Sequence, residues 1–173
     1  MKRLALISLS TVLVLACDRA PTSPASDAAD ESQLAAGFKK ADVTAAAWGA
    51  YTVVFGANVE RIAFRAGQTT DGVIGRAKFN NRTAHVKGDI DINCLQITGN
   101  IARISGIVTK SSDPTIEGFE ALWQVQDNGD GHKAPRDLSS TILLHAVGTG
   151  SDCTVPGEFD MVPIRNGQIH VAQ

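Results

Sequence analysis

Asp89 and Asp91 stand two residues apart in the run Val86-Lys87-Gly88-Asp89-Ile90-Asp91. In an extended chain that spacing puts both carboxylates on one face, where they could bind a cation or act as an acid and base pair. Alternating charge is also what a solvated strand face carries, and that reading needs no chemistry. A second pattern lies downstream. Gln126, Asn128 and Asp130 fall on the first, third and fifth positions of a calcium loop, with Gly131 at the sixth and Asp137 at the twelfth. The weak calcium candidates are therefore Asn128, Asp130 and Asp137. Gln126 is neutral where a carboxylate is wanted, Pro135 interrupts the loop, and the flanking sequence is β-like, so turn chemistry explains the same residues. The histidines, His85, His132, His145 and His170, share no ligand spacing. No GxSxG, HExxH, CxxC or glycine-rich phosphate loop occurs, so no catalytic residue, metal or cofactor is assigned. Asn81-Arg82-Thr83 fits a glycosylation sequon but sits where a turn needs asparagine.

The cysteines carry the clearest chemistry. Lys2 and Arg3 precede an apolar run from Leu4 to Ala16, which reads as an export signal and is shorter than the about 20 residues of a membrane span. Val14-Leu15-Ala16-Cys17 looks like a lipobox, making Cys17 the acylated first residue of an exported lipoprotein. Acyl chains contribute about 0.8 kcal/mol per buried CH₂, so several of them would hold the protein on a membrane surface. The expected location is the cell envelope, on its periplasmic or surface face. Cys94 and Cys153 remain as an even pair in an oxidising compartment, which predicts one disulfide; two free thiols or a redox pair are the competing readings.

Residues 17–41 are rich in Ala, Ser, Pro, Thr and acidic side chains and too poor in large apolar groups to repay ordering, so they read as a flexible tether after a signal at 1–16. Residues 42–173, about 130 of them, suffice for one domain with its own core. The chain carries 16 Lys and Arg against 18 Asp and Glu without a dense basic cluster, and nucleic acid is not expected as a partner.

Period two dominates from Trp48 onward. Val86, Gly88, Ile90 and Ile92 alternate with Lys87, Asp89 and Asp91; Ala121, Trp123 and Val125 alternate with Glu120, Leu122, Gln124 and Gln126. Asp71-Gly72, Asn80-Asn81, Gly99-Asn100, Asn128-Gly129 and Asn166-Gly167 supply turn residues that tolerate positive φ. Asn166-Gly167, between Val162-Pro163-Ile164 and Ile169-His170-Val171, predicts a hairpin. The fold class is all-β, a single antiparallel β-barrel or sandwich of roughly nine or ten short strands. Glycines within the strands, at Gly75, Gly88 and Gly106, favour the curved barrel.

Val43-Thr44 leading to Trp48, then Val86-Lys87-Gly88, Cys94-Leu95, Gly99-Asn100-Ile101-Ala102 and Asp127-Asn128-Gly129, resemble a family of secreted bacterial β-domains with no established function. The resemblance runs from about Val43 to Val171 and implies one secreted β-domain with a Cys94 to Cys153 bridge. It supplies no catalytic residues. The expected function is a membrane-anchored, non-catalytic module binding an unknown small molecule or envelope protein. The alternatives are an isomerase or hydrolase assembled from scattered residues such as Asp89, Asp91, His85, His145 and Glu120, or a structural envelope protein.

Overall fold

The computed structural model describes residues 43–131, 133–146, 153–154 and 157–173. The signal, Cys17, the tether and His132 lie outside the described residues. Within them the chain is all-β, apart from a single 3-10 turn at Pro114–Ile116. The strands are β1 Val43–Phe55, β2 Asn58–Thr69, β3 Gly72–Asn81, β4 Val86–Thr98, β5 Ile101–Ser111, β6 Glu120–Gln126, β7 Leu138–Ser139, β8 Leu143–His145, β9 Val162–Pro163 and β10 Asn166–Ala172. β1 to β6 follow one another as an antiparallel meander. One sheet runs β10-β1-β2-β3-β4-β5-β6-β7-β9, with β8 also on β6, and it curls into a half-barrel.

The curl follows from the sequence in two ways. Irregular register between β4 and β5 at Asp89/Ile90 and at Ile92/Cys94 introduces bulges, which bend a strand and raise its twist. Glycines then allow the bent strands to cross closely. A Cβ on Gly106 would lie 2.3 Å from the Asp91 carbonyl oxygen and 2.8 Å from Ile90 Cγ2, so no larger residue fits there.

Curling brings opposite walls into contact. Phe64 on β2 and Trp123 on β6 are far apart in strand order, yet their rings meet edge to face at 6.1 Å, and Tyr51 meets Phe64 at 6.2 Å. Ile62, Ile90, Ile104, Val108, Val125 and Ile169 fill the space around them. Each such apolar side chain is worth about 1.5–3 kcal/mol when taken from water. Side chains therefore occupy the interior, as in small barrels generally.

β6 departs from its alternating sequence. Its outward Leu122 and Gln124 are buried along with the inward Ala121, Trp123 and Val125. Leu122 is the register partner of Leu143 on β8, and Gln124 N–H donates to Ser140 Oγ. Cys153 is fully buried and bridged to Cys94 with Cα atoms 5.8 Å apart. Arg103, outward on β5, donates to the Gly157 carbonyl at 3.1 Å and to Gln124 Oε1 at 2.9 Å, and it lies 5.7 Å from the Phe159 ring centroid. The bridge spans 59 residues; cross-linking a loop of that length contributes about 4 kcal/mol on the chain-entropy model.

The expected hairpin at Asn166-Gly167 is not formed. β9 pairs with β7 and β10 pairs with β1, so the two runs lie on different neighbours and do not fold back on each other. Gly167 is still required, since its φ is 98° and a Cβ there would meet the Ala50 carbonyl oxygen at 2.0 Å. The dipeptide opens β10, and Ile164 and Arg165 carry the chain from the β7 side to β1. The turn expected at Asn80-Asn81 also shifts, to 82–85, where His85 takes a left-handed φ of 57°.

The expected consequence of the close crossing is that Gly106→Ala lowers stability by at least about 2 kcal/mol, because overpacking forces backbone to move. Urea unfolding measures it; a midpoint equal to that of the parent would show that β4 and β5 do not approach as described.

Candidate functional site

The C-terminal segment forms both ends of the sheet: β10 lies at one end of the strand order and β9 at the other. Arg165 N–H donates to the Thr52 carbonyl at 2.8 Å and Ile164 N–H to the Asp137 carbonyl at 2.9 Å, so the segment joins β1 to the β7 region. Beyond β9 this junction has no continuous ladder. Carboxylates stand in for it. Asp137 Oδ2 accepts from Ile169 N–H at 2.9 Å, and Asp127 Oδ2 accepts from Val171 N–H at 3.0 Å. Their other oxygens hold the intervening loop, Asp137 Oδ1 from Asn128 N–H at 2.8 Å and Asp127 Oδ1 from Gly129 N–H at 2.7 Å.

In that arrangement the calcium candidates Asn128 and Asp137 serve as hydrogen-bonding groups of the loop and the junction. Asp137 is buried with a backbone N–H on each oxygen. Asn128 Oδ1 accepts from Gln126 Nε2 at 2.8 Å, while Asn128 Nδ2 donates to the Arg136 carbonyl at 2.7 Å. Asp130 Oδ1 lies 3.5 Å from Gln168 Nε2. Donors, the positive ends of dipoles, point at the oxygens a cation would need. Among the described residues no group of three or more His, Cys, Asp or Glu could hold a metal.

Asp89 and Asp91 do share the outer face of β4, opposite Lys78 and Arg76 of β3. Asp91 lies 3.5 Å from Arg76 with both side chains well exposed, at 58% and 78%, a geometry worth about 0–1 kcal/mol. Glu120 and His145 are register partners across β6 and β8. His85 sits in the β3–β4 turn, apart from both pairs. The sequon asparagine is engaged inward, with Asn81 Nδ2 donating to Glu60 Oε1 at 3.1 Å and Asn81 Oδ1 accepting from the Thr83 and Ala84 N–H groups.

Glu60 is a buried carboxylate that sequence reasoning missed. It also accepts from Thr141 Oγ1 at 2.9 Å and from Ile142 N–H, fastening the segment between β7 and β8 to the sheet. The signal was present, because Glu60 is in phase with Ile62 and Phe64. Beside it Tyr51 and Ser139 are hydrogen-bonded at 2.8 Å. Burial foremost, and the Glu60 charge to a lesser degree, raise the Tyr51 phenol well above its ordinary range, so it stays protonated.

The outer face of β10, β1, β2 and β3 is different in character. Register aligns His170, Trp48, Arg65 and Arg76 in one cross-strand row. A row on one side reads Gln168, Ala50, Ala63 and Lys78, and on the other Ala172, Ala46, Gly67 and Ile74. Trp48 is 36% exposed and Ile74 48%, and Trp48 stacks on His170 at 5.2 Å. Burial holds the Arg65 guanidinium below its ordinary value. The outward positions of these strands carry Arg61, Arg65, Arg76 and Lys78 and no carboxylate, in a chain whose net charge is −2. Sequence reading missed this patch because its cations are spread over two strands.

No protein-family model matches the chain, and neither does any curated protein or solved structure.

Asp137→Ala leaves the N–H groups of Asn128 and Ile169 without acceptors and is expected to cost about 3 kcal/mol. Hydrogen exchange at Ile169 and Val171 should rise together with a lower urea midpoint; unchanged protection at Ile169 would refute the carboxylate junction.

Proposed function

We propose that the protein is an exported lipoprotein, acylated at Cys17, whose β-domain is a non-catalytic binding module working at the cell-envelope membrane. The observation that carries this reading is the cationic, carboxylate-free outer face with exposed Trp48, set on the strand that begins where the N-terminal segment enters the domain. Interior packing supports a surface site over a barrel cavity, since Trp123, Phe64 and Tyr51 fill the core. The carboxylates of Asp127, Asp137 and Glu60 hold backbone and side-chain donors, which suits a structural role better than acid and base work.

The experiment is expression of the full chain in a bacterium that processes lipoproteins, followed by the mass of the mature N-terminus and membrane fractionation. The mature chain should begin at Cys17 carrying acyl groups, and Cys17→Ser should abolish acylation. An unmodified Cys17, or processing at another residue, would overturn the anchored reading. Hydroxyl-radical labelling against envelope material should protect Trp48 and leave Trp123 unchanged; protection elsewhere with Trp48 still reactive would displace the binding surface.

A further inference from the structure

We infer that the outer face of β10, β1, β2 and β3 lies down on an anionic bilayer, the membrane that carries the lipid anchor; this rests on the anchored reading above. Charge is the first argument. Arg61, Arg65, Arg76 and Lys78 project from the outer side of β2 and β3; Asp91 of β4 lies 3.5 Å from Arg76 and Asp89 is the register partner of Lys78, so over the outward positions of β2 to β4 the cations still outnumber the carboxylates. Such clusters of cations close to a membrane are attracted by anionic headgroups.

Shape is the second argument. The outward positions flanking Trp48 and Arg65 are Ala46, Ala50, Ala63 and Gly67, so no bulky side chain of β1 or β2 stands beside that pair on the outside of the curled sheet. Four strands at about 4.8 Å spacing give a width of about 14 Å, and four outward residues along each give about 20 Å. An open cationic face on the outside of the sheet suits an extended anionic surface better than a single chain lying in a cleft. Apolar contact is the third argument. Trp48 and Ile74, two of the most exposed large apolar residues described, belong to adjacent rows of this face. An indole with arginines beside it is the composition that settles at the headgroup level of a bilayer.

Position is the last argument. β1 begins at Val43, and Trp48 is on its first half, so the segment from Cys17 enters the domain at the border of this same face.

The mature acylated protein in phosphatidylcholine vesicles, with and without phosphatidylglycerol, tests this. Brominated acyl chains quench a tryptophan at the headgroup level, and the buried Trp123 serves as internal reference for Trp48. Quenching of Trp48 is expected in anionic vesicles alone, reversed by salt. Each of Arg65→Gln, Arg76→Gln and Lys78→Gln should lower the docked-to-undocked ratio roughly fivefold. Urea midpoints of these variants verify folding, and Trp48→Phe assigns the signal. Equal quenching in neutral vesicles, or none in either while the protein stays bound, overturns the docking and leaves the anchor standing. Loss of the protein from both vesicles overturns the anchored reading and this inference with it. Protection of Trp48 by soluble polygalacturonate but not by anionic bilayers would reassign the face to an acidic polysaccharide.

Discussion

Every strand at the end of a sheet has backbone N–H groups that must find acceptors, and in this fold two carboxylates meet that demand. The N–H groups of Ile169 and Val171 turn away from β1, toward the end of β6, where no ladder continues. Asp137 and Asp127 reach them from the loop that follows β6. Charge-assisted bonds of this kind are about twice as strong as neutral ones. Because the same carboxylates also hold Asn128 and Gly129, the loop, the last strand and the first strand become one unit. The packed interior depends on that unit, since Ile169 and Val171 contribute to the core from the strand it secures.

The two walls of the domain meet solvent differently for a related reason. Outside β5 and β6 residues after β8 are held by the Cys94–Cys153 bridge and by Arg103 against Gly157 and Phe159, and Leu122, Gln124 and Ser105 on that side are buried. Over β10, β1, β2 and β3 the outer face shows solvent Trp48, Ile74 and a group of cations. A sheet with one covered and one open outer wall has a direction, and the open wall is the one beside the N-terminal entry. Function is read most naturally from the open wall, because the covered wall spends its polar groups on holding the fold.

Motif reading and geometry meet at the loop after β6. The sequence offered two accounts of Asn128, Asp130 and Asp137, a degenerate cation loop and a set of turn residues. Side chains that bind calcium leave their oxygens open toward a common centre. Here the oxygens of Asp137 each take a backbone N–H from a different segment, one local and one from the last strand. The second of those partners is remote in sequence, so spacing alone could not separate the two accounts.

Alternation of apolar and polar residues determined that the domain is all-β, which side of β4 faces inward, and where most turns fall, because side-chain direction in a strand depends only on position. Parity of the cysteines pointed to the Cys94–Cys153 bond. Tertiary structure decided what depends on distant partners. Asn166-Gly167 has the composition of a hairpin turn, yet it opens β10, because β9 pairs with β7 and β10 with β1. Gln124 is polar and buried because Arg103, remote in sequence, meets its Oε1, and Glu60 is buried because Thr141 and Asn81 meet its carboxylate. The row of His170, Trp48, Arg65 and Arg76 exists only through register, since its members are scattered along the chain and become neighbours when the strands pair. Local pattern fixes the direction of a side chain, while its neighbours are chosen by strand pairing.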